Sequence, residues 1–173
     1  MSETAKKNRK LIASLIVLFT IVIGVVVGFV VVKVITANND SASEVVEKFR
    51  LDEKYYNSSD VLKEISEEDF KAKLEAKESF ALLVSLPRCT EETAAFKTYV
   101  SGYENEKKIA ILYMTSDTVR NTMIMDTVKY FPSVILFNKG EIKAYLKFDK
   151  DSDTEYYKSQ EAFGQWFEKY IEI

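Results

Sequence analysis

Hydrophobic residues run without interruption through the first part of the chain. Residues 11–32, LIASLIVLFTIVIGVVVGFVVV, contain no charged side chain. At about 1.5 Å of rise per residue, a helix of this length spans the roughly 30 Å hydrocarbon layer of a bilayer. A cleaved signal peptide has a shorter apolar region and a small-residue cleavage site, which Ile35-Thr36-Ala37 matches poorly. The pattern therefore predicts a transmembrane anchor over residues 11–36.

The charges on the two sides of this segment predict its orientation. Four basic residues and one acidic residue precede it in MSETAKKNRK, whereas Lys33 is the only cation between the apolar run and Asp40. Basic residues tend to stay on the cytoplasmic side. We therefore expect residues 1–10 to form a cytoplasmic tail, membrane lipid to be a partner through residues 11–36, and the C-terminal domain to be extracellular on a single-pass cell-membrane protein.

The next segment, residues 37–59, is predicted to be a juxtamembrane linker. It begins with the small and polar stretch NNDSASE, which is typical of a tether. The following SEVVEKFRLDEKYY has apolar positions near helical spacing. A short amphipathic helix and a solvated spacer remain alternative interpretations of it.

From residue 60 onward, helical and extended patterns alternate. Ser66 followed by Glu-Glu-Asp is typical of an N-cap and an acidic first turn, which predicts a helix ending near Lys77. FALLVSL, residues 80–86, and IAILYM, residues 109–114, lack a polar stripe and predict strands buried on both faces. TEETAAFKTYVSGYENEKK, residues 90–108, predicts a helix between them.

The last third of the chain predicts a helix, a hairpin and a closing helix. SDTVRNTMIMDTVKYF has helical character that Ser116 or Asp117 would cap. SVILF and EIKAYLKF are predicted strands joined at Asn138-Lys139-Gly140. SQEAFGQWFEKYIEI has aromatic residues at intervals of three and four. Helix and strand in alternation, followed by a hairpin, imply a mixed α/β sheet with helices on both faces.

Charge and composition narrow the candidate chemistry. The first ten residues carry +3 and Lys33 adds one, so the chain total of −3 leaves −7 for residues 34–173. Such a field disfavours nucleic acid as a partner. With no histidine and Cys89 as the only cysteine, the chain lacks the ligands of a structural zinc site and cannot form a disulfide within itself. We predict no metal and no cofactor.

Two stretches resemble a known family. YFPSVILFNKGEI, residues 130–142, resembles the thioredoxin pattern in which a proline with a cis peptide bond opens a strand, and Pro132 occupies that position. ISEEDFKAKLEAKESFALLVSLPRC, residues 65–89, is similar to the small thioredoxin-like proteins of Gram-positive bacteria described as bacteriocin-transport accessory proteins. The resemblance implies a thioredoxin-like domain over residues 60–173, and the single transmembrane helix predicted from the apolar run precedes it.

The resemblance also places Cys89 at the active-site position, but with a degenerate motif, Cys-Thr-Glu-Glu. Thioredoxin chemistry needs a second thiol two residues further on to resolve the mixed disulfide. That position holds Glu92, and a carboxylate cannot attack a disulfide, so a self-contained dithiol cycle is excluded. Arg88 replaces the family's aromatic residue before the first cysteine, and ALLVSL contains no carboxylate to accept a proton.

Three functions remain open at this point. The first is a binding or assembly protein that holds a peptide of an exported or membrane protein in a groove formed by Arg88, Cys89, Glu92, Phe131 and Pro132, by strand addition. The second is a monothiol oxidoreductase in which Cys89 is catalytic and an external thiol resolves the mixed disulfide. The third is an accessory role in bacteriocin export, which only the resemblance implies.

Overall fold

The structure, a computed structural model, describes residues 46–88, 90–148 and 151–173, except for the side chain of Asp151. The predicted anchor over residues 11–36 and the thiol of Cys89 lie outside these described residues. No helix in the described ranges is both long and apolar enough to cross a membrane.

Residues Val46–Ile173 form one compact unit built around a five-stranded sheet. The strands are β1 Lys63–Glu64, β2 Phe80–Ser85, β3 Leu112–Thr115, β4 Ser133–Asn138 and β5 Glu141–Tyr145. The α-helices are α1 Glu67–Glu75, α2 Glu91–Lys107, α3 Met123–Thr127, α4 Asp151–Thr154 and α5 Gln160–Tyr170, with single 3-10 turns at Glu53–Tyr55 and Glu155–Tyr157.

The strands lie in the order β1-β3-β2-β4-β5. β3 is parallel to both β1 and β2, whereas β4 is antiparallel to β2 and β5. Every residue of β2 is buried, as its uninterrupted apolar sequence predicts for a strand covered on both faces. The predicted mixed α/β sheet flanked by helices is confirmed.

An aromatic cluster forms one part of the core. The rings of Phe80 on β2 and Phe137 on β4 stack with their centroids 4.6 Å apart. Phe70 from α1 packs edge-on against both rings, at 6.2 and 5.5 Å. Edge-to-face and offset-stacked rings are the preferred arrangements of aromatic pairs, so this cluster fastens α1 to the two central strands.

Helix α1 begins where the sequence predicts. The Ser66 hydroxyl accepts a hydrogen bond from the Asp69 N–H at 3.1 Å, and the Asp69 carboxylate accepts one from the Ser66 N–H at 3.2 Å. This reciprocal capping box satisfies two N–H groups that the first turn leaves without helical partners.

Helix α3 is much shorter than the sequence predicted. It starts at Met123 behind a Thr122 cap, and neither Ser116 nor Asp117 is its cap. The Thr115 hydroxyl accepts a hydrogen bond from the Thr118 N–H at 3.3 Å, and residues 116–121 form turns. Local bonds between side chain and backbone offer such a segment an alternative to the helical ladder.

The boundary predicted for the linker, residues 37–59, is wrong for the part from Val46 onward. Phe49 pairs with Ile171 in a parallel bridge, and Leu51 and Tyr55 are buried in the core. Between residues 46 and 59 the structure has one 3-10 turn, Glu53–Tyr55, and no α-helix, so the amphipathic-helix interpretation is wrong for these described residues. Leu51 and Tyr55 belong to the core of the domain, and Phe49 and Tyr56 are partly buried against it.

This opening segment lies at one end of the sheet. The Asp52 N–H donates to the carbonyl oxygen of Ser79 at 2.8 Å, one residue before β2 begins. Tyr56 pairs with Ile109, shortly before β3 begins. The segment therefore covers the amino ends of the two central parallel strands, away from their carboxyl ends.

The predicted hairpin between β4 and β5 is confirmed as a two-residue turn. Lys139 and Gly140 have φ angles of +53° and +80°, a combination that twists with the flanking strands. β5 ends at Tyr145, three residues before the predicted end at Phe148.

Replacing Gly140 with alanine is expected to lower the free energy of unfolding by about 2 kcal/mol. An alanine Cβ would lie 2.7 Å from the backbone oxygen of Leu74, in a left-handed backbone conformation that favours glycine. Urea unfolding of the two proteins measures the difference. Lys139→Gly is the matched control. It removes the strain of a non-glycine residue in a left-handed conformation, and it should change the free energy of unfolding by less than about 1 kcal/mol. Equal effects of the two substitutions would contradict the steric argument.

Candidate functional site

The peptide bond between Phe131 and Pro132 is cis, as the resemblance predicted. Pro132 is buried immediately before β4, and Phe131 is half-buried against the core. Because Val84 pairs with Ser133, the antiparallel register carries Ser85 to the level of Pro132. The loop that follows β2 therefore starts beside the proline, at the carboxyl end of the parallel strands.

In the described part of the chain, two other residues predicted to form the groove, Arg88 and Glu92, have no side-chain hydrogen bond or ion pair that ties them to Pro132. Arg88 is exposed in the loop after β2, and Glu92 is exposed in the first turn of α2. Neither side chain makes an ion pair or a hydrogen bond within the described residues. The pairing register of β2 with β4 therefore places Phe131 and Pro132 beside the start of the loop after β2. Cys89, further along this loop, lies outside the described residues.

Tyr157 holds the proline segment in place. Its hydroxyl donates to the carbonyl oxygen of Pro132 at 2.9 Å and lies 3.3 Å from the carbonyl oxygen of Leu146. The Ser133 hydroxyl donates to the same Leu146 oxygen at 2.8 Å. These bonds tie the start of β4 to the end of β5, which fixes the backbone on both sides of the groove.

The backbone just before Pro132 presents unused hydrogen-bond donors. Within the described ranges, the N–H groups of Tyr130 and Phe131 donate to no protein acceptor. Tyr130 is 53% exposed, and the Lys129 ammonium group donates to the Met125 carbonyl oxygen at 2.9 Å. Backbone donors without a protein acceptor are what a peptide needs in order to pair with this segment.

A cavity of about 130 Å³ opens beside this segment. It is lined by Val128, Lys129, Tyr130, Tyr145, Leu146, Lys147 and Phe148. Phe148 is 42% exposed, and its ring packs edge-on against Tyr157 with centroids 5.2 Å apart. We call these lining residues, together with Phe131 and Pro132, the proline groove.

Sequence reasoning missed most of the proline groove. Lys129 and Tyr130 precede the proline, whereas Lys147 and Phe148 follow a strand that the sequence predicted to continue to residue 148. The pairing of β4 with β5 brings the two segments together. The sequence feature that could have indicated this groove is the Lys-aromatic pair that occurs at both Lys129-Tyr130 and Lys147-Phe148.

A buried carboxylate lies elsewhere in the unit. Glu104, near the end of α2, is 2% exposed and accepts hydrogen bonds from the N–H groups of Ile111 at 2.6 Å and Leu62 at 3.2 Å. Burial raises the pKa of Glu104 to about 7, and the two N–H donors moderate the increase. Because Ile111 precedes β3 and the proline groove lies past the carboxyl ends of the strands, Glu104 does not face the groove.

No group of acidic residues, cysteine or histidine suited to a metal ion occurs among the described residues. A second cavity, of about 400 Å³, lies between α2 and α5. Its lining includes Glu106, Glu161 and Glu168 with one cation, Lys107. Lys107 pairs with Glu168 at 3.2 Å and lies 3.6 Å from Glu106, so the lining carries more negative than positive charge.

Comparison with known proteins finds likeness at the level of structure. No family model and no curated protein matches the chain. Thioredoxin O1 from Arabidopsis thaliana, in its oxidized state, is 12% identical over 55% of this chain and 92% of its own, with a TM-score of 0.43. Thioredoxin O2 from the same plant is 15% identical over 49% of this chain and 80% of its own, with a TM-score of 0.39. Likeness at these identities concerns the fold alone.

Proposed function

We propose that this chain is a membrane-anchored, extracytoplasmic binding or assembly protein whose thioredoxin-like domain holds an extended peptide of an exported or membrane protein. The observation that carries the proposal is the backbone before Pro132. Its unused N–H groups at Tyr130 and Phe131 stand beside a cavity, on a segment that Tyr157 fixes through the Pro132 carbonyl. Backbone pairing would supply affinity, and the cavity would supply selectivity.

The sequence supports binding over self-contained catalysis. Glu92 stands where a resolving thiol is needed, and Cys89 is the only cysteine of the chain. The membrane anchor rests on the apolar residues 11–32 and the basic residues before them. The resemblance of residues 65–89 to bacteriocin-transport accessory proteins supports, as part of this proposal, a role in peptide export at the surface of a Gram-positive bacterium.

Hydrogen–deuterium exchange tests strand addition directly. Purified full chain in mild detergent is first used to select binders from a random 12-residue peptide library. Bound peptide is expected to slow exchange in the Tyr130–Phe131 segment, because whichever of these two adjacent N–H groups faces the groove then donates to the peptide backbone. Exchange at Lys139, in the hairpin turn at the other end of β4, should not change and serves as the internal control.

A Cys89→Ser variant separates binding from monothiol chemistry. The binding function predicts unchanged peptide affinity and unchanged protection at Tyr130 and Phe131. Peptide capture that occurs only through a disulfide and is abolished in Cys89→Ser would favour the monothiol alternative. Selected peptides that protect only regions away from these two residues would overturn the proposed function.

A further inference from the structure

The surroundings of the proline groove differ in charge from the rest of the domain. Residues 34–173 carry a net charge of −7. The cavity of the groove, by contrast, is lined by two cations, Lys129 and Lys147, and by no aspartate or glutamate among the described residues. Neither lysine forms an ion pair with a described carboxylate.

The two lysines are held in place by contacts other than acidic side chains. The Lys129 ammonium group bonds the carbonyl oxygen of Met125 at 2.9 Å, and that of Lys147 lies 5.4 Å from the centre of the Tyr145 ring. Asp153 is the described carboxylate bonded to this segment, and it accepts the backbone N–H of Lys147 at 3.0 Å. Among the described residues, therefore, no carboxylate neutralises either ammonium group.

The volume of the cavity and the aromatic rings beside it favour a ligand with an apolar side chain. A cavity of about 130 Å³ lies well below the roughly 300 to 1,000 Å³ of small-molecule pockets, and it suits a single large side chain. Tyr130 and Phe148 expose their rings beside it, and the groove carries unpaired backbone N–H groups. A concave site with these features fits a peptide better than a flat anionic surface.

We propose that the proline groove selects an extended acidic peptide, in which one large apolar side chain enters the cavity and flanking carboxylates meet Lys129 and Lys147. This inference rests on the proposed function, since it names the class of peptide that the same groove binds. The net negative charge of the domain disfavours such a peptide in general, whereas two lysines line this cavity, so charge would favour binding at the groove.

Defined fluorescent peptides test the inference on the full chain in detergent. We would compare the decapeptide GSDEFDEGSG with GSKKFKKGSG, in which the charges are reversed, and with GSDEADEGSG, in which the apolar anchor is removed. Fluorescence anisotropy is expected to show the first peptide binding at least tenfold more tightly than either of the others. Its affinity should fall as salt is raised from about 50 to 500 mM, because exposed ion pairs are screened.

Charge reversal in the protein provides the second arm. Lys129→Glu and Lys147→Glu should each weaken binding of the acidic peptide about fivefold, the order of one ion pair. Lys143→Glu, on the exposed face of β5 and outside the cavity lining, is the matched control for net charge and should have little effect. Circular dichroism would establish that each variant keeps its fold.

The outcomes separate the two proposals. Equal binding of acidic and basic peptides, with protection still at Tyr130 and Phe131, would overturn the acidic selectivity and leave the peptide groove intact. Equal loss in the Lys143→Glu control, or competition by a single-stranded oligonucleotide of matching charge as strong as by the peptide, would mean a non-specific charge effect and also overturn it. Peptides from the random library that fail to protect the groove would overturn the proposed function itself.

Discussion

Replacing Phe80 with alanine is expected to lower the free energy of unfolding by about 3 to 5 kcal/mol, the range for deleting a fully buried phenylalanine. Phe80 has no exposed surface, and it stacks on Phe137 and contacts Phe70 and Tyr55. Its loss removes both the transfer energy of the ring and the contacts between α1 and the central strands. Urea unfolding followed by circular dichroism measures the change.

An exposed aromatic residue supplies the control for that experiment. Tyr130→Ala should change stability by no more than about 0.5 kcal/mol, because the Tyr130 ring is half in solvent and belongs to no buried cluster. A Phe80→Ala cost below about 1 kcal/mol would mean that the aromatic cluster is not the rigid core described above.

The second large effect concerns pH and Glu104. Because its folded pKa of about 7 is above the ordinary value of 4.5, the folded state holds this proton more tightly than the unfolded state. The contribution of Glu104 to the free energy of unfolding is therefore fully present below the unfolded pKa and is lost as pH rises from about 4.5 to about 7. The full loss corresponds to about 3 kcal/mol and stays constant at higher pH.

Glu104→Gln isolates this contribution. The amide keeps an oxygen that can accept from the Ile111 N–H, but it cannot ionise. The free energy of unfolding of the variant, measured by urea titration between pH 5 and pH 8, should vary less with pH than that of the parent chain. The chain has no histidine, so few other groups titrate in this interval. Parallel curves for the two proteins would rule out Glu104 as the source.

The strands that the sequence predicts well are those that the sheet buries on both sides. FALLVSL and SVILF are almost entirely apolar, which predicts strands buried on both faces, and β2 and β4 lie where expected. Residues 46–59 and helix α3 were misjudged because tertiary pairing and local threonine bonds override a weak helical periodicity. β1 escaped notice since a two-residue edge strand has no periodicity to read.

The residues of the candidate site also divide into those that the local sequence predicts and those that only the folded chain brings together. The position of Pro132 could be predicted because the local sequence YFPSVILFNKGEI alone indicates a cis proline at the start of a strand. The cation pair of Lys129 and Lys147 could not, because it exists only once β4 and β5 are paired. Glu104 sits in YENEKK, which has the composition of a solvated helix end, and its burial comes from the backbone of residues 62 and 111.

The bridge between Phe49 and Ile171 has a practical consequence for how this protein is handled. It sets the chain's first and last described segments side by side, at the amino ends of the central parallel strands. A purification tag or a sensor-chip linkage placed after Ile173 would therefore emerge far from Pro132. Immobilisation through the C-terminus leaves the proline groove turned towards the solution, which is the orientation that a peptide-capture experiment requires.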